Sequence, residues 1–254
     1  MSNPQFPEPS VTSSNDRHAV VPAPDSSRSI TRGSDNQALT PRSLEERRLI
    51  HRNDSVRVQA DAFRDLRTRL LSLGGNQNFV TLIVPVTPGC GGSFVARHLA
   101  GALGVAGHQA SLLVDWHALY PSQHAALGVE ANAGGLMDYL EDSVADIADI
   151  QYRTGIPRMY LIPSGHARET TGEYFSSLRA RTMIDSLRSN HPNRYLILDS
   201  PSALKSPDAR ILSDLSDLVV LVAGYGKVTL ENIDKAAANF DPEKLAGVVF
   251  NDVN

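Results

Sequence analysis

A single cysteine, Cys90, stands in the 254 residues of the chain. No internal disulfide can form, and with no Cys/His spacing of zinc type no structural metal site is implied. A reducing compartment, the cytoplasm, is the expectation. Long apolar runs are missing as well: none approaches the roughly 18 residues that span a bilayer, and Met1-Ser2-Asn3-Pro4-Gln5-Phe6-Pro7 lacks an apolar stretch of signal-peptide length. A membrane role is therefore expected only through a partner. Surplus positive charge is also absent. With 24 Lys+Arg against 28 Asp+Glu the formal net charge is -4, which gives no global electrostatic reason to bind nucleic acid or an anionic membrane. What is present, 41% hydrophobic and 20% charged residues with 18 Gly and 15 Pro, fits one globular domain plus some unstructured sequence, and excludes a coiled-coil rod or a collagen-like chain.

Residues 1–43 are dominated by Ser, Pro, Asn, Asp and Thr, with isolated apolar residues that follow no period. Such a segment buries too little apolar surface to offset its ordering entropy and reads as a disordered tail. Residues 44–77 read as an N-terminal helical segment. Asp54-Ser55 offers a cap before Val56–Leu73, where Phe63, Leu66 and Leu70 recur at helical spacing while Arg57, Arg64 and Arg67 point elsewhere. From residue 78 short apolar runs alternate with longer amphipathic stretches, the pattern of βα units building a mostly parallel sheet with helices on both faces. The predicted strands are Phe79–Pro85, Ala110–Asp115, Arg158–Pro163, Arg194–Asp199, Leu218–Ala223 and Ala246–Asn251. Helices are predicted at Ser93–Ala106, Gly135–Leu140, Glu173–Ser189, Pro207–Leu215 and Leu230–Asn239.

The first strand runs into Val86-Thr87-Pro88-Gly89-Cys90-Gly91-Gly92-Ser93 and then an apolar, Ala-rich helix. In that setting glycines let backbone N–H groups curl around an anion while the helix N-terminus adds partial positive charge. Against the P-loop pattern G-x-x-x-x-G-K-[ST], Gly91 and Ser93 fit, but Val86 holds the first glycine position and Gly92 the lysine position. Losing the lysine forfeits a charge-assisted contact worth roughly 1.5–3 kcal/mol of binding. Arg97, one helical turn on, is not expected to reach into the loop. A tight strand-to-helix turn with no ligand is an equal reading of the same residues. Asp115 and Asp199 close the second and fourth predicted strands, at the sheet edge where open α/β folds bind ligands. Asp199 has the position of a Walker-B acid that holds Mg²⁺ with Ser93, and Asp115 that of a group polarising a nucleophile. An Asp at a strand end is also, and more commonly, a helix cap.

The order of elements, with Pro88-Gly89-x-Gly91-x-Ser93, Leu113-Val114-Asp115, Ile197-Leu198-Asp199-Ser200-Pro201, Tyr225-Gly226-Lys227 and Gly247-Val248-Val249-Phe250-Asn251, resembles the cytoplasmic domain of the bacterial tyrosine kinases of capsule and exopolysaccharide export, within the ParA/MinD-type deviant-Walker group. The resemblance covers residues 56–254 and implies a P-loop NTPase-like domain over residues 78–254. It also implies that Asp61-Ala62-Phe63-Arg64-Asp65-Leu66-Arg67 is similar to the family's E-x-x-R-x-x-R helix, so that Asp61, Arg64 and Arg67 contact another subunit. Asn251 matches a position that reads adenine, Lys227 a loop close to the nucleotide, and Cys90 a loop position where the kinases commonly carry an acid. Departures are equally specific. A Lys stands in the active kinases where this chain has Gly92, an Asp-x-Asp pair where it has Asp115-Trp116-His117, and a tyrosine-rich tail is expected where this sequence has Asn251-Asp252-Val253-Asn254.

The expectation is thus a kept fold with a dismantled phosphoryl-transfer centre: a pseudokinase acting as a regulatory or assembly subunit of exopolysaccharide biosynthesis and export. It would self-associate and dock on an inner-membrane co-polymerase or chain-length determinant protein, its loop of Pro88, Gly89, Cys90, Gly91, Gly92 and Ser93 empty or weakly occupied by Mg-ATP or Mg-ADP. Two alternatives stand beside it. One is an active ATP-dependent tyrosine autokinase or ATPase using Ser93, Asp115 and Asp199, its missing cation supplied in trans. The other is a ParA/MinD-like positioning protein, against which the acidic charge and the lost lysine weigh.

Overall fold

The computed structural model describes residues 57–75, 78–106, 109–169 and 171–252. The tail read over residues 1–43 and the start of the N-terminal helical segment, residues 44–56, lie outside them. Four strands, β1 (Val80–Pro85), β2 (Ala110–Asp115), β5 (Arg194–Asp199) and β6 (Leu218–Gly224), are apolar almost throughout and buried along nearly their whole length. Strands of that kind need cover on both faces, which is the situation at the centre of a parallel sheet. They lie in a seven-stranded sheet of order β3-β4-β2-β5-β1-β6-β7, all parallel except β3. Here β4 is Met159–Ile162 and β7, at one edge, is Leu245–Asn251.

The helices are α1 (Arg57–Gly74), α2 (Gly92–Ala106), α3 (Gln123–Leu127), α4 (Leu136–Leu140), α5 (Gly172–Phe175), α6 (Leu178–Ser189), α7 (Asp208–Ser213) and α8 (Leu230–Ala237). Helix α2 presents Val95, Ala96, Leu99, Ala100 and Leu103 to the core, all buried. On its outer side α1 docks through Phe63, whose ring lies 5.3 Å from His98 and 6.2 Å from Phe94, centroid to centroid. Gly75, left-handed at φ 67°, ends α1, and Gly74 before it leaves room for the Phe79 ring, which a Cβ there would meet at 2.1 Å.

The predicted strands are present, with ends shifted by a residue. Several elements were not foreseen, among them the short helix α3 (Gln123–Leu127) and a 3-10 turn at Ile147–Ile150. Strand β3 (Tyr152–Arg153) pairs antiparallel with β4 and closes the far edge of the sheet. The helix predicted over Glu173–Ser189 is two helices, because Ser177 leaves helical geometry and its side chain caps α6, accepting from Ala180 N at 3.1 Å. A serine pair offering a cap outweighs continuous propensity there.

Strand β1 sits between β5 and β6, so the chain winds to one side through β2 and to the other through β6. That is the topological switch point, and the crevice beyond its carboxyl ends is where open α/β sheets bind ligands. The loop after β1 opens into it, and both strand-end aspartates lie buried at the same edge of the sheet. Among the described residues no helix is long and apolar enough to cross a membrane.

Candidate functional site

The loop between β1 and α2 turns on Gly89 (φ 81°) and Gly91 (φ 84°), both in the left-handed region that side chains rarely adopt. It is tied from the β6–β7 side. Lys227 Nζ donates to Gly89 O at 3.1 Å and Asn251 Nδ2 to Cys90 O at 3.1 Å. The two residues expected beside a nucleotide do stand beside the loop, with their polar ends engaged by its carbonyls. Cys90 is fully buried, its sulfur 3.3 Å from Thr87 Oγ1.

Gly92, at the lysine position of the P-loop pattern, is the first residue of α2. A Cβ placed on it would stand 2.7 Å from Pro85 Cδ and 2.9 Å from Pro85 Cγ. The proline ring at the end of β1 therefore fills the space into which any side chain at residue 92 would project. Pro85 carried no motif of its own in the sequence, and this role became visible only when β1 and α2 were brought together.

Asp115 and Asp199 end adjacent strands in register, and both are fully buried. Asp115 is a helix cap: its oxygens accept from His117 N at 3.1 Å, Ser122 N at 3.2 Å and Gln123 N at 3.1 Å, holding the start of α3. Asp199 Oδ2 accepts from Gln123 Nε2 at 2.6 Å. The same Nε2 reaches Ser93 O at 3.0 Å, and Gln123 Oε1 accepts from Arg97 NH1 at 3.0 Å. Gln123 is itself fully buried and links the loop helix, both acids and Arg97. Sequence reasoning missed it; a glutamine eight residues after a strand end belongs to no motif.

Burial, reinforced by the neighbouring Asp199, pushes the Asp115 carboxyl up to about 7 against the backbone N–H groups that favour its ionised form. Burial also raises Asp199, opposed by Gln123, Ser93, His117 and Arg97. Two carboxyls side by side in a dry interior cannot both ionise freely, and the pair holds a proton near neutrality. Burial pulls the Arg97 guanidinium down, offset by its attraction to Asp199 and Asp115. As the sequence implied, Arg97 stays out of the loop; it turns to Gln123 instead.

In front of this cluster lies a cavity of 480 Å³ lined by the loop glycines, Ser93, His117, Tyr120, Ser202 and Lys205. The buried Asp115 and Asp199 do not line it. Tyr120, at its mouth, is 67% exposed and meets the His117 ring edge-on. Lys205 was not singled out in the sequence and is the cation that the β5–α7 connection brings to this wall.

The proposed subunit-contact residues lie apart, on α1. Arg64 NH1 pairs with Asp61 Oδ1 at 2.6 Å within the helix, both exposed, and Arg67 NH1 donates to Ala102 O of α2 at 3.3 Å. The helix therefore offers Asp61 and Arg64 outward, while Arg67 helps seat it.

No family model matches the chain. The tyrosine-protein kinase CpsD of Streptococcus agalactiae is 27% identical over 194 residues, 76% of this chain and 82% of that protein. The kinase domain of Escherichia coli tyrosine kinase ETK superposes with a TM-score of 0.70 at 23% identity, covering 76% of this chain and 75% of that one. The chain has a bacterial-tyrosine-kinase-like P-loop fold. The cell division ATPase MinD of Pyrococcus furiosus shares the core less fully, with a TM-score of 0.53 at 23% identity over 68% of this chain and 70% of its own. Within this kinase-like fold the glycine loop, Ser93, Asp115 and Asp199 fall where the sequence motifs placed them: at the carboxyl edge of the sheet, around the switch point.

Proposed function

We propose that the chain is a kinase-like subunit whose phosphoryl-transfer centre is closed, and that it regulates or assembles machinery of exopolysaccharide biosynthesis and export rather than transferring phosphate. One observation carries the reading. The position that holds the phosphate-binding lysine in the P-loop pattern is a glycine, and the Pro85 ring occupies its side-chain space. A lysine at residue 92 would need Pro85 moved as well, because the ring stands in the path of its side chain. Gln123 works in the same direction by engaging Asp199, the acid that would otherwise hold Mg²⁺. In this reading the subunit self-associates and docks, through the exposed side of α1 with Asp61 and Arg64, on the cytoplasmic face of an inner-membrane co-polymerase, and Arg67 supports that face from behind.

The test is gain of function in two steps. Gly92→Lys alone is expected to bind no Mg-ADP, because the new side chain collides with Pro85. Gly92→Lys combined with Pro85→Gly is expected to gain measurable binding by calorimetry. Binding by the single variant at the affinity of the double would remove the steric argument.

A second reading, a nucleotide-binding enzyme completed in trans, has one supporting observation: the cavity beside Ser93 is open and carries Lys205. Phosphoryl transfer needs a positioned cation, and Lys205 or a neighbouring subunit would have to supply it. Mg-ATP turnover that appears with a membrane partner and vanishes in Asp199→Ala would establish that reading.

A further inference from the structure

In phosphoryl-transfer sites the strand-end acids commonly serve a divalent cation, and the residues here do not fit one. Mg²⁺ requires a near-octahedral shell of oxygens with several waters. Asp115 and Asp199 have no exposed surface, Asp199 Oδ2 is engaged by an amide at 2.6 Å, and all three acceptor contacts of Asp115 go to backbone N–H groups. Among the described residues no group of three or more His, Cys, Asp or Glu is placed to hold a metal. The negative charge that the pair still carries is costly without a counter-charge, and a positive group close by lowers that cost.

We propose that Arg97 is the resident counter-ion of the Asp115–Asp199 pair, held through Gln123 where a divalent cation would otherwise serve, so that the centre is complete without metal. Its NH1 lies 3.0 Å from Gln123 Oε1, and Gln123 Nε2 lies 2.6 Å from Asp199 Oδ2, a two-bond relay from cation to carboxylate. The guanidinium is attracted to both acids, and together with His117 it favours the ionised form of Asp199. Among the described residues Arg97 Nε and Asp199 Oδ1 are both buried without a hydrogen-bond partner, so the cluster is closed by charge more than by complete hydrogen bonding. Gln123 keeps the guanidinium and Asp199 in a fixed relation and joins both to the Ser93 carbonyl, and so to the loop helix. Arg97 is in this sense a positioning residue that neutralises the centre from behind and leaves no acid free for metal at the front. The inference rests on the closed-centre reading.

The experiment uses the full chain and two substitutions that separate charge from volume, Arg97→Met and Arg97→Lys, with thermal unfolding in the presence and absence of Mn²⁺ and Mn²⁺ binding by electron paramagnetic resonance. The unsubstituted protein is expected to bind no Mn²⁺ and to melt at the same temperature with or without it. Arg97→Met is expected to melt about 10 °C lower and to recover part of the loss in Mn²⁺, the recovery disappearing when Asp199→Asn is added. Arg97→Lys is expected to melt between the two. Mn²⁺ bound by the unsubstituted protein and lost on Asp199→Asn would overturn the proposal, as would Arg97→Met melting at or above Arg97→Lys. Should the Met variant fail to fold, two results carry the decision: Mn²⁺ binding by the unsubstituted protein, and an Arg97→Lys melting point within about 5 °C of it. Nucleotide bound equally well in EDTA would refute the emptied loop and leave Arg97 in place. Mn²⁺ bound at Asp199 without nucleotide would refute Arg97 alone.

Discussion

At the scale of single residues the centre of this protein is a glutamine. Gln123 makes contacts to Asp115, Asp199, Ser93 and Arg97 from a fully buried position, and its removal leaves a carboxylate and a guanidinium without their shared partner. Gln123→Ala is expected to destabilise the protein by about 3 kcal/mol, read as a shift of the urea midpoint at unchanged slope. Arg194 is the contrary case. Its NH1 donates to Gln151 Oε1 at 2.8 Å, but among the described residues Nε and NH2 are buried without hydrogen-bond partners, and burial lowers its guanidinium to about 10. A buried cation without an acid contributes little, so Arg194→Met is expected to be neutral or to stabilise by up to about 2 kcal/mol. A loss above that size in the same unfolding assay would mean that an acceptor for Arg194 lies outside the described residues.

At the scale of elements the strand ends and the helix starts are coupled by charge. Asp115 ends β2 and caps α3, and its carboxyl is raised from 3.8 to about 7. A raised acid holds its proton in the folded state where the unfolded chain has already released it, so the stability it contributes is complete below about pH 4 and is lost as pH rises through about 7. Unfolding free energy is therefore expected to fall between about pH 4 and about pH 7, and Asp199→Asn, which removes the neighbouring charge, to flatten that fall. A rise over the window would show that the three backbone N–H groups dominate and hold Asp115 ionised. Element by element, the parallel strands were legible because continuous apolar runs ending in Asp115 and Asp199 have few other homes. The break between α5 and α6 was marked by Ser176-Ser177, yet the pattern on either side favoured one helix. Strand β3, two residues long, carries no period at all; its pairing with β4 is a tertiary event. Gln123 and Pro85 were illegible for the same reason: their importance lies in what meets them across the fold.

At the scale of the whole molecule the chain has a kinase-like fold, with a centre that is closed in the proposed function. The glycines, Ser93 and the two aspartates stand at the carboxyl edge of the sheet, while Pro85 packs over Gly92 and Gln123 joins Arg97 to Asp199. That distribution explains why the sequence motifs located the centre and could not decide whether it is open. The surface follows a separate logic. Asp61 and Arg64 pair at 2.6 Å on the exposed side of α1, so Arg64→Glu is expected to reduce self-association or docking while lowering stability by no more than about 1 kcal/mol; unchanged light scattering and unchanged partner capture would remove α1 from the account. The central claim is tested most directly by calorimetric titration of the full chain with Mg-ATP and Mg-ADP. The account predicts no binding heat from either. Binding tighter than roughly 100 μM, about -5.5 kcal/mol, would contradict it and show that the loop still holds nucleotide.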